Sequence, residues 1–163
     1  MNTSQVLLEM VRYFGNDTRR INHAFKVLGF ADAILAGEAV SGQAAQVTLL
    51  AAILHDIGIK EAERKYQSSA GNYQESEGPP IAAEIMNHCR VTAEIRDRVC
   101  FLVGHHHTYN KIDDIDFQIL VESDFLVNIQ EGFIKPEAAP GVIRNYFRTA
   151  TGKELASSMY GLP

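Results

Sequence analysis

Cysteine is scarce in this sequence, and the little there is excludes two common architectures. Cys89 and Cys100 are the only two, eleven residues apart, and they form no CxxC pair. Neither a multi-disulfide framework nor a cysteine-based zinc site fits that count and spacing. The sequence therefore favours two reduced thiols, in the core or at a helix end, over a disulfide.

Long apolar runs and basic clusters are also missing. No apolar run approaches the ~20 residues of a membrane span, and the polar start MNTSQ lacks the layout of a signal peptide. We therefore predict a cytoplasmic protein that does not bind a membrane. The formal charge is −5, and no basic cluster is longer than TRR or ERK, which argues against binding of a nucleic-acid duplex. An acidic chain can still bind small phosphorylated ligands if bound metal ions supply local positive charge.

Alternating β-branched patterns are almost absent, whereas apolar residues recur at helical spacing. The prediction is an all-α, compact single-domain helical bundle with about six main helices and shorter C-terminal ones. The domain would span 1–163, with a core at 18–130 and a C-terminal helical extension at 131–163. Expected helices are 6–14, 21–36 capped by Asp17 or Thr18, 43–57, one opening at Pro79 or Pro80, one capped by Thr92, 114–130, and short ones in 136–149 and 151–160. The stretch 66–80 is predicted to be a connection that folds over a substrate.

Three of these helices carry a polar group on an apolar face. His23 lies in a stripe with Val27 and Phe30, the apolar segment LLAAIL ends in His55 and Asp56, and Asp124 follows Phe117 at helical spacing. Taken alone, each has an ordinary explanation as a hydrogen-bonded or salt-bridged core residue. A buried unpaired carboxylate is costly, however, and one cation bound by all of these groups explains them together. Imidazole and carboxylate ligands are typical of Zn, Fe, Mn and Ni sites.

The order His23, His55-Asp56, Asp124 resembles the HD-domain superfamily of metal-dependent phosphohydrolases. The resemblance runs from about Arg20 to Asn128 and includes the segment HDIGIK at the end of an apolar helix. It implies an all-helical fold in which these four residues hold a divalent transition metal: Fe, Mn, Ni, Zn or Co.

The resemblance extends in part to the two-metal branches of that superfamily. Those carry a histidine after the HD loop and one or two more at the end of the following helix. Here Glu77 stands at the first place, and GHHHT, residues 104–108, stands at the second. A second metal would thus be bound by Glu77, His105 and His106, which we favour over His107. Whether the site holds one ion or two stays open.

The implied chemistry is hydrolysis of a phosphate ester or anhydride by metal-activated water. Candidate catalytic residues are Asp56, Lys60, Glu77, His105 and His106. Arg20, one turn before His23, and Lys60, four residues after Asp56, are candidates for contacts with phosphate.

The predicted substrate is a nucleotide or a similar small phosphorylated metabolite, cleaved by a phosphomonoesterase or a phosphodiesterase. Two alternatives fit the same residues: a regulatory ligand-binding module that retains its metal, and a di-iron oxygenase on the same scaffold. Apolar surface on the terminal helices would also support a homodimer. The sequence does not specify the substrate.

Overall fold

The computed structural model describes residues 3–161. Within them the chain forms nine α-helices, one short 3₁₀ helix at Tyr109–Lys111 and no strand. The α-helices are α1 Thr3–Phe14, α2 Thr18–Gly37, α3 Gly42–Leu54, α4 Ile59–Tyr66, α5 Gly71–His88, α6 Ala93–Val103, α7 Ile115–Gln130, α8 Ala139–Tyr146 and α9 Ala150–Tyr160. The all-α prediction is confirmed.

Capping aspartates fix the starts of α2 and α7, two helices that carry candidate site residues. The Asp17 side chain accepts a hydrogen bond from the backbone N–H of Arg20, which satisfies one of the free donors at the start of α2. Asp114 caps α7 in a similar way, through the N–H of Ile115. These caps set the register of α2 and α7, the helices that carry His23 and Asp124.

Helix α3 is the centre of the bundle. Its second half, residues 47–54, is apolar except for Thr48 and is almost fully buried, and the helix packs against α1, α2, α6 and α7. A segment that is apolar on all sides requires burial on all sides. Because α3 ends at Leu54, the residues that follow it, His55 and Asp56, emerge inside the bundle rather than on its surface.

The prediction of a long connection over 66–80 is wrong. Residues 59–66 form α4, residues 71–88 form α5, and only 67–70 connect them. Pro79 and Pro80, which we expected at a first turn, lie in the middle of α5. Neither proline can donate a backbone hydrogen bond, yet the helix continues because it packs against α4 and α6 along its length. Tertiary packing here overrides the local preference of a Ser-, Gly- and Pro-bearing sequence.

Two glycines set the distance between α5 and the turn that follows the His-Asp pair. A Cβ atom on Gly58 would lie 2.5 Å from the backbone oxygen of Gln74 and 2.5 Å from the backbone nitrogen of Gly78. A Cβ atom on Gly78 would in turn lie 2.7 Å from a methyl group of Val103. Only glycine allows this approach, which places the first two turns of α5 beside Asp56.

Helices α8 and α9 pack against α7, and α9 also contacts α2. Buried side chains of this segment, Ile143 in α8, Phe147 directly after α8 and Ala156 in α9, belong to the same hydrophobic core as α1 to α7. Between residues 3 and 161, the longest apolar helices still fall short of what a membrane crossing would need.

Candidate metal centre

His23, His55, Asp56 and Asp124 converge at the floor of a cleft of about 610 Å³. The Nε2 atom of His23 lies 3.1 Å from Nε2 of His55 and 3.1 Å from Oδ1 of Asp124. Oδ2 of Asp56 lies 3.7 Å from His23 Nε2 and 3.6 Å from His55 Nε2. Residues separated by about a hundred positions in sequence therefore form one group, which we call the first cluster.

In both His23 and His55, the hydrogen bond at Nδ1 determines whether Nε2, the nitrogen that faces the cluster, carries a hydrogen or a lone pair. Nδ1 of His55 lies 2.9 Å from the carbonyl oxygen of Ala52, and Nδ1 of His23 lies 3.0 Å from Oε2 of Glu131. Both partners can only accept, so each Nδ1 carries the hydrogen. In the neutral imidazoles, Nε2 then directs a lone pair into the cluster. Such an outer hydrogen bond is typical of histidines that bind metals.

The electrostatic environment of the first cluster favours positive charge. Burial opposes protonation of His23, but its hydrogen bond with Asp124 and the charge of Asp56 raise the pKa of His23 to about 9. Burial likewise opposes protonation of His55, and the charge of Asp56 together with Asp124 raises that pKa as well. Burial works against ionisation of Asp124, yet the hydrogen bonds from the two imidazoles hold its pKa well below its usual range.

A second cluster lies on the other side of Asp56. Oδ1 of Asp56 is 3.4 Å from Nε2 of His106, and donor atoms of Asp56, His106 and His107 all lie within 4.8 Å of one another. His106 Nδ1 donates to the carbonyl oxygen of Val103 at 2.9 Å, so its Nε2 presents a lone pair. Burial, together with the neighbouring His106, lowers the pKa of His107 to about 4, so this imidazole is neutral near pH 7.

The donor atoms fit a divalent metal ion. Two neighbouring ligands that each lie ~2.1 Å from one ion stand about 3.0 Å apart at octahedral angles and about 3.4 Å apart at tetrahedral angles. The donor pairs of the first cluster that include His23 or His55 are 3.1 to 3.7 Å apart. A single proton on His23 can satisfy the hydrogen-bonding atoms of the first cluster without a metal. In the second cluster, Nε2 of His106 and Nε2 of His107 are still buried without a hydrogen-bond partner. Each of the two clusters therefore has a donor set that can hold a metal ion.

Three residues predicted for the site lie elsewhere. The His105 ring packs 4.5 Å from the ring of Phe101, and its Nδ1 lies 2.8 Å from that residue's carbonyl oxygen. His107 takes the place in the second cluster that we expected for His105, because the chain turns immediately after α6.

Glu77 and Lys60 are likewise occupied outside the clusters. The Glu77 carboxylate accepts hydrogen bonds from Lys65 at 2.6 Å and from the Tyr66 hydroxyl at 2.8 Å. Lys60 donates to the carbonyl oxygen of Tyr13 at 2.9 Å and lies over its ring. Neither side chain lines the cleft. Lys60 was assigned from its distance in sequence to Asp56, and Glu77 because it stands where the two-metal branches carry a histidine. The helical geometry of α4 and α5 turns both side chains toward other partners.

Two further residues of the cleft, Glu131 and Gln74, were not predicted from the sequence. Glu131 is seven residues after Asp124, two helical turns further along α7, so a search for acids on that face would have found it. Gln74 lies in the segment assigned to a connection, and no sequence pattern points to it. Both residues line the cleft.

The wall of the cleft above the clusters combines two arginines with apolar surface. Arg20 bonds to Asp17 at 2.6 Å and to Glu63 at 2.5 Å, while Arg19 lies 4.9 Å from the ring centre of Phe133. The remaining lining includes Ile59, Tyr109, Phe125, Asn128 and Ile134. The Phe133 ring is 58% exposed. A ligand in the cleft would thus meet acids and imidazoles at the floor and an aromatic face near the entrance.

A solved structure of similar shape comes from an uncultured Thermotogales bacterium. It is the crystal structure of a predicted HD superfamily hydrolase, and it matches with a TM-score of 0.69 over 97% of this chain and 84% of that chain. The chain has the HD-domain fold. The sequence identity is 23%, so the likeness concerns the fold. Neither a family model nor a curated protein matches the sequence.

The contact between Glu131 and His23 Nδ1 makes Glu131 a target for testing how the first cluster is held. Replacing Glu131 by Gln keeps an acceptor near His23 Nδ1 but removes the charge that this ring and Lys26 contact. We expect metal affinity at the first cluster to fall about tenfold or more, with little change in the melting temperature of the metal-free protein.

Calorimetric titration of the metal-free protein measures this effect. Glu137→Gln is the matched control, because Glu137 is exposed and outside the cleft. Equal affinities for Glu131→Gln and the unmodified protein would show that the contact with His23 does not support metal binding.

Proposed function

We propose that this protein is a metal-dependent phosphohydrolase that cleaves a phosphate ester or anhydride of a small metabolite. The observation that carries the proposal is the convergence of imidazole nitrogens and carboxylate oxygens around Asp56, at the floor of an open cleft. When bound, divalent ions supply positive charge to a phosphoryl group and lower the pKa of water. His23, His55, Asp56 and Asp124 would hold the first ion, and Asp56, His106 and His107 would hold a second.

The charge of the cleft supports an anionic substrate only when metal is present. Five carboxylates line it against two guanidinium groups, Arg19 and Arg20, which gives a formal charge of −3 with neutral histidines. One divalent ion leaves the balance negative, and two make it positive. Two ions therefore suit a phosphorylated substrate better than one.

The chain's own residues would divide the work. Asp56 has one carboxylate oxygen toward each cluster, so it fixes the position at which a water and a phosphoryl group meet. Burial, with the nearby charge of Asp124, raises the pKa of Tyr109 to about 12, so its hydroxyl stays protonated in the cleft wall and is a candidate hydrogen-bond donor to substrate. Arg20, held by two carboxylates, would present its remaining N–H groups to phosphate oxygens.

The apolar entrance supports a substrate with a planar group, such as a nucleotide. Phe133 offers an exposed ring backed by Arg19, and Asn128 in the same cleft has an amide that can hydrogen bond to a base edge. We therefore include nucleoside mono-, di- and triphosphates in the first substrate panel, together with a sugar phosphate and a generic phosphodiester.

The decisive assay loads metal-free protein with Mn²⁺, Fe²⁺, Ni²⁺, Co²⁺ or Zn²⁺ and measures phosphate or product release from that panel. We expect turnover with at least one metal and none after chelation. Protein that binds metal and ligand without turnover would instead favour a regulatory module. Oxygen consumption by iron-loaded protein without hydrolysis would favour the oxygenase alternative.

Arg20→Gln tests the phosphate contact. Removing the guanidinium weakens attraction for the substrate anion, so we expect KM to rise about tenfold with a smaller change in kcat. Arg12→Gln is the matched control, because Arg12 is on α1 and outside the cleft. An unchanged KM for Arg20→Gln would remove Arg20 from the substrate site.

A further inference from the structure

Buried polar atoms without hydrogen-bond partners are concentrated around the second cluster. Among residues 3–161, four such side-chain atoms occur: Thr3 Oγ1, Gln74 Oε1, His106 Nε2 and His107 Nε2. Two are the inner atoms of the second cluster, and Gln74 lines the same cleft as His107 and Asp56. Buried polar groups are normally paired, so three unpaired ones lining or adjoining one cleft point to a missing common partner.

The orientation of the Gln74 amide is fixed by its surroundings. Nε2 donates to the backbone carbonyl oxygen of Ser69 at 2.7 Å, and a flipped amide would place two oxygens against each other. Oε1 is therefore the unpaired atom, and it is an acceptor. Gln74 is only 6% exposed, so its amide is nearly fully buried.

The backbone around Gln74 is held as firmly as the side chain. Its N–H bonds to the carbonyl oxygen of Ala70 in the first turn of α5, and its own carbonyl packs against Gly58. One turn earlier, Gly71 packs against the His107 ring, where a Cβ atom would lie 2.7 Å from that ring. The start of α5 thus holds Gln74 and His107 in fixed relation to the turn that carries Asp56.

The unpaired atoms near the second cluster share one chemical property. His106 Nε2 presents a lone pair, Gln74 Oε1 is an acceptor, and His107 Nε2 is a ring nitrogen buried without a hydrogen-bond partner. Asp56 adds a carboxylate oxygen. Acceptors cannot satisfy one another, whereas a cation can be bound by all of them.

We propose that the carboxamide oxygen of Gln74 belongs to the donor set of the second metal position, with Asp56, His106 and His107. This rests on the proposed metal-dependent function, but it concerns binding rather than catalysis. An amide oxygen is a hard ligand, and replacing an imidazole by it favours Mn²⁺ over Zn²⁺ at that position. Gln74 would therefore set the affinity and the metal preference of the second position without affecting the first.

The test is calorimetric titration of metal-free protein with Mn²⁺, with electron paramagnetic resonance of the loaded samples. The unmodified protein should bind two ions that are magnetically coupled through Asp56. Gln74→Leu should weaken the second ion about tenfold or more, leave the first unchanged and abolish the coupled signal. Gln74→His should restore two-ion binding and shift the second position toward Zn²⁺.

Gln43→Leu is the matched control, since Gln43 is exposed at the start of α3, at the opposite end of that helix from His55. Melting of the metal-free variants separates metal binding from a structural role. Gln74→Leu also removes the hydrogen bond from Nε2 to Ser69. Its metal-free melting temperature should therefore fall only by what one such bond contributes, about 1 kcal/mol or a few °C, while the stabilisation by Mn²⁺ is reduced much more.

Three results would overturn the inference: a second ion bound equally by Gln74→Leu and the unmodified protein, a single ion in the unmodified protein, or a lowered metal-free melting temperature with unchanged binding. Two-ion binding that depends on Gln74, in a protein that hydrolyses nothing in the panel, would support the inference and contradict the proposed function.

Discussion

Asp56→Asn is expected to reduce phosphate hydrolysis by about 10³-fold or more and to remove bound metal from both clusters. Asp56 is the residue whose carboxylate oxygens face both clusters: Oδ2 lies 3.6 Å from His55 Nε2, and Oδ1 lies 3.4 Å from His106 Nε2. Asparagine is nearly isosteric, but it removes the negative charge and turns an N–H₂ group toward one set of lone pairs.

The measurement combines metal content after dialysis with kcat/KM on the preferred substrate. Asp32→Asn is the matched control: Asp32 is exposed on α2, away from the cleft, and should keep full metal content and activity. If Asp56→Asn kept both ions and its rate stayed within twofold, Asp56 could not be the shared ligand.

Gly58→Ala is expected to lower the stability of the fold by about 3 kcal/mol. The added methyl group would lie 2.5 Å from two backbone atoms, the Gln74 oxygen and the Gly78 nitrogen, and backbone cannot move aside as a flexible side chain can. Relief of the overlap requires α5 to move away from the turn after Asp56, so the variant should also lose metal affinity at the second cluster. For a chain of this length, the melting temperature should fall by roughly 6 to 12 °C.

Gly29→Ala is a control for which the expected change in stability has the opposite sign. Gly29 lies within α2, is exposed, and has nothing within 4 Å of the position that a Cβ atom would take. Alanine there should raise stability by about 0.5–1 kcal/mol, because glycine is a poor helix former. Thermal unfolding of both variants checks the pair. Equal melting temperatures would show that the close approach of Gly58 and α5 does not constrain the fold.

The parts of the fold that sequence predicted best are those with strong helical periodicity or a recognisable cap. Asp17 and the apolar stripe of α2 define that helix within a residue or two, and the apolar run of α3 defines its burial. The second half of α5 was predicted, but its first half, residues 71–78, was missed because its stability comes from contacts with neighbouring helices, which the local sequence does not encode. Two prolines in the middle of a helix give a misleading local signal in such a case.

The residues of the site likewise divide into those that local sequence predicted and those that depend on tertiary structure. His23, His55, Asp56 and Asp124 could be grouped from sequence because each is a polar residue where an apolar one is expected. The choice among three consecutive histidines depended on the turn after α6, which directs His106 and His107 to Asp56 and His105 to Phe101. Sequence distance gave no information on that turn.

Lys60 and Glu77 show a second limit of sequence reasoning. Lys60 is four residues after Asp56 and Glu77 stands at the place of a family histidine, yet they bond to Tyr13 and Lys65, respectively, on another face. Gln74, three residues before Glu77, and Glu131, seven residues after Asp124, line the cleft instead. Position in the sequence is therefore a weak guide to this cleft, and burial of a polar group is a stronger one.

Anomalous diffraction from a crystal of the metal-loaded protein tests the central claim most directly. We predict a peak within bonding distance of His23 Nε2, His55 Nε2, Asp56 and Asp124, and a second peak beside His106 and His107. A fully loaded crystal with no peak between His23 and His55, or with metal bound only at other surface histidines, would contradict the claim that these side chains converge to bind a cation.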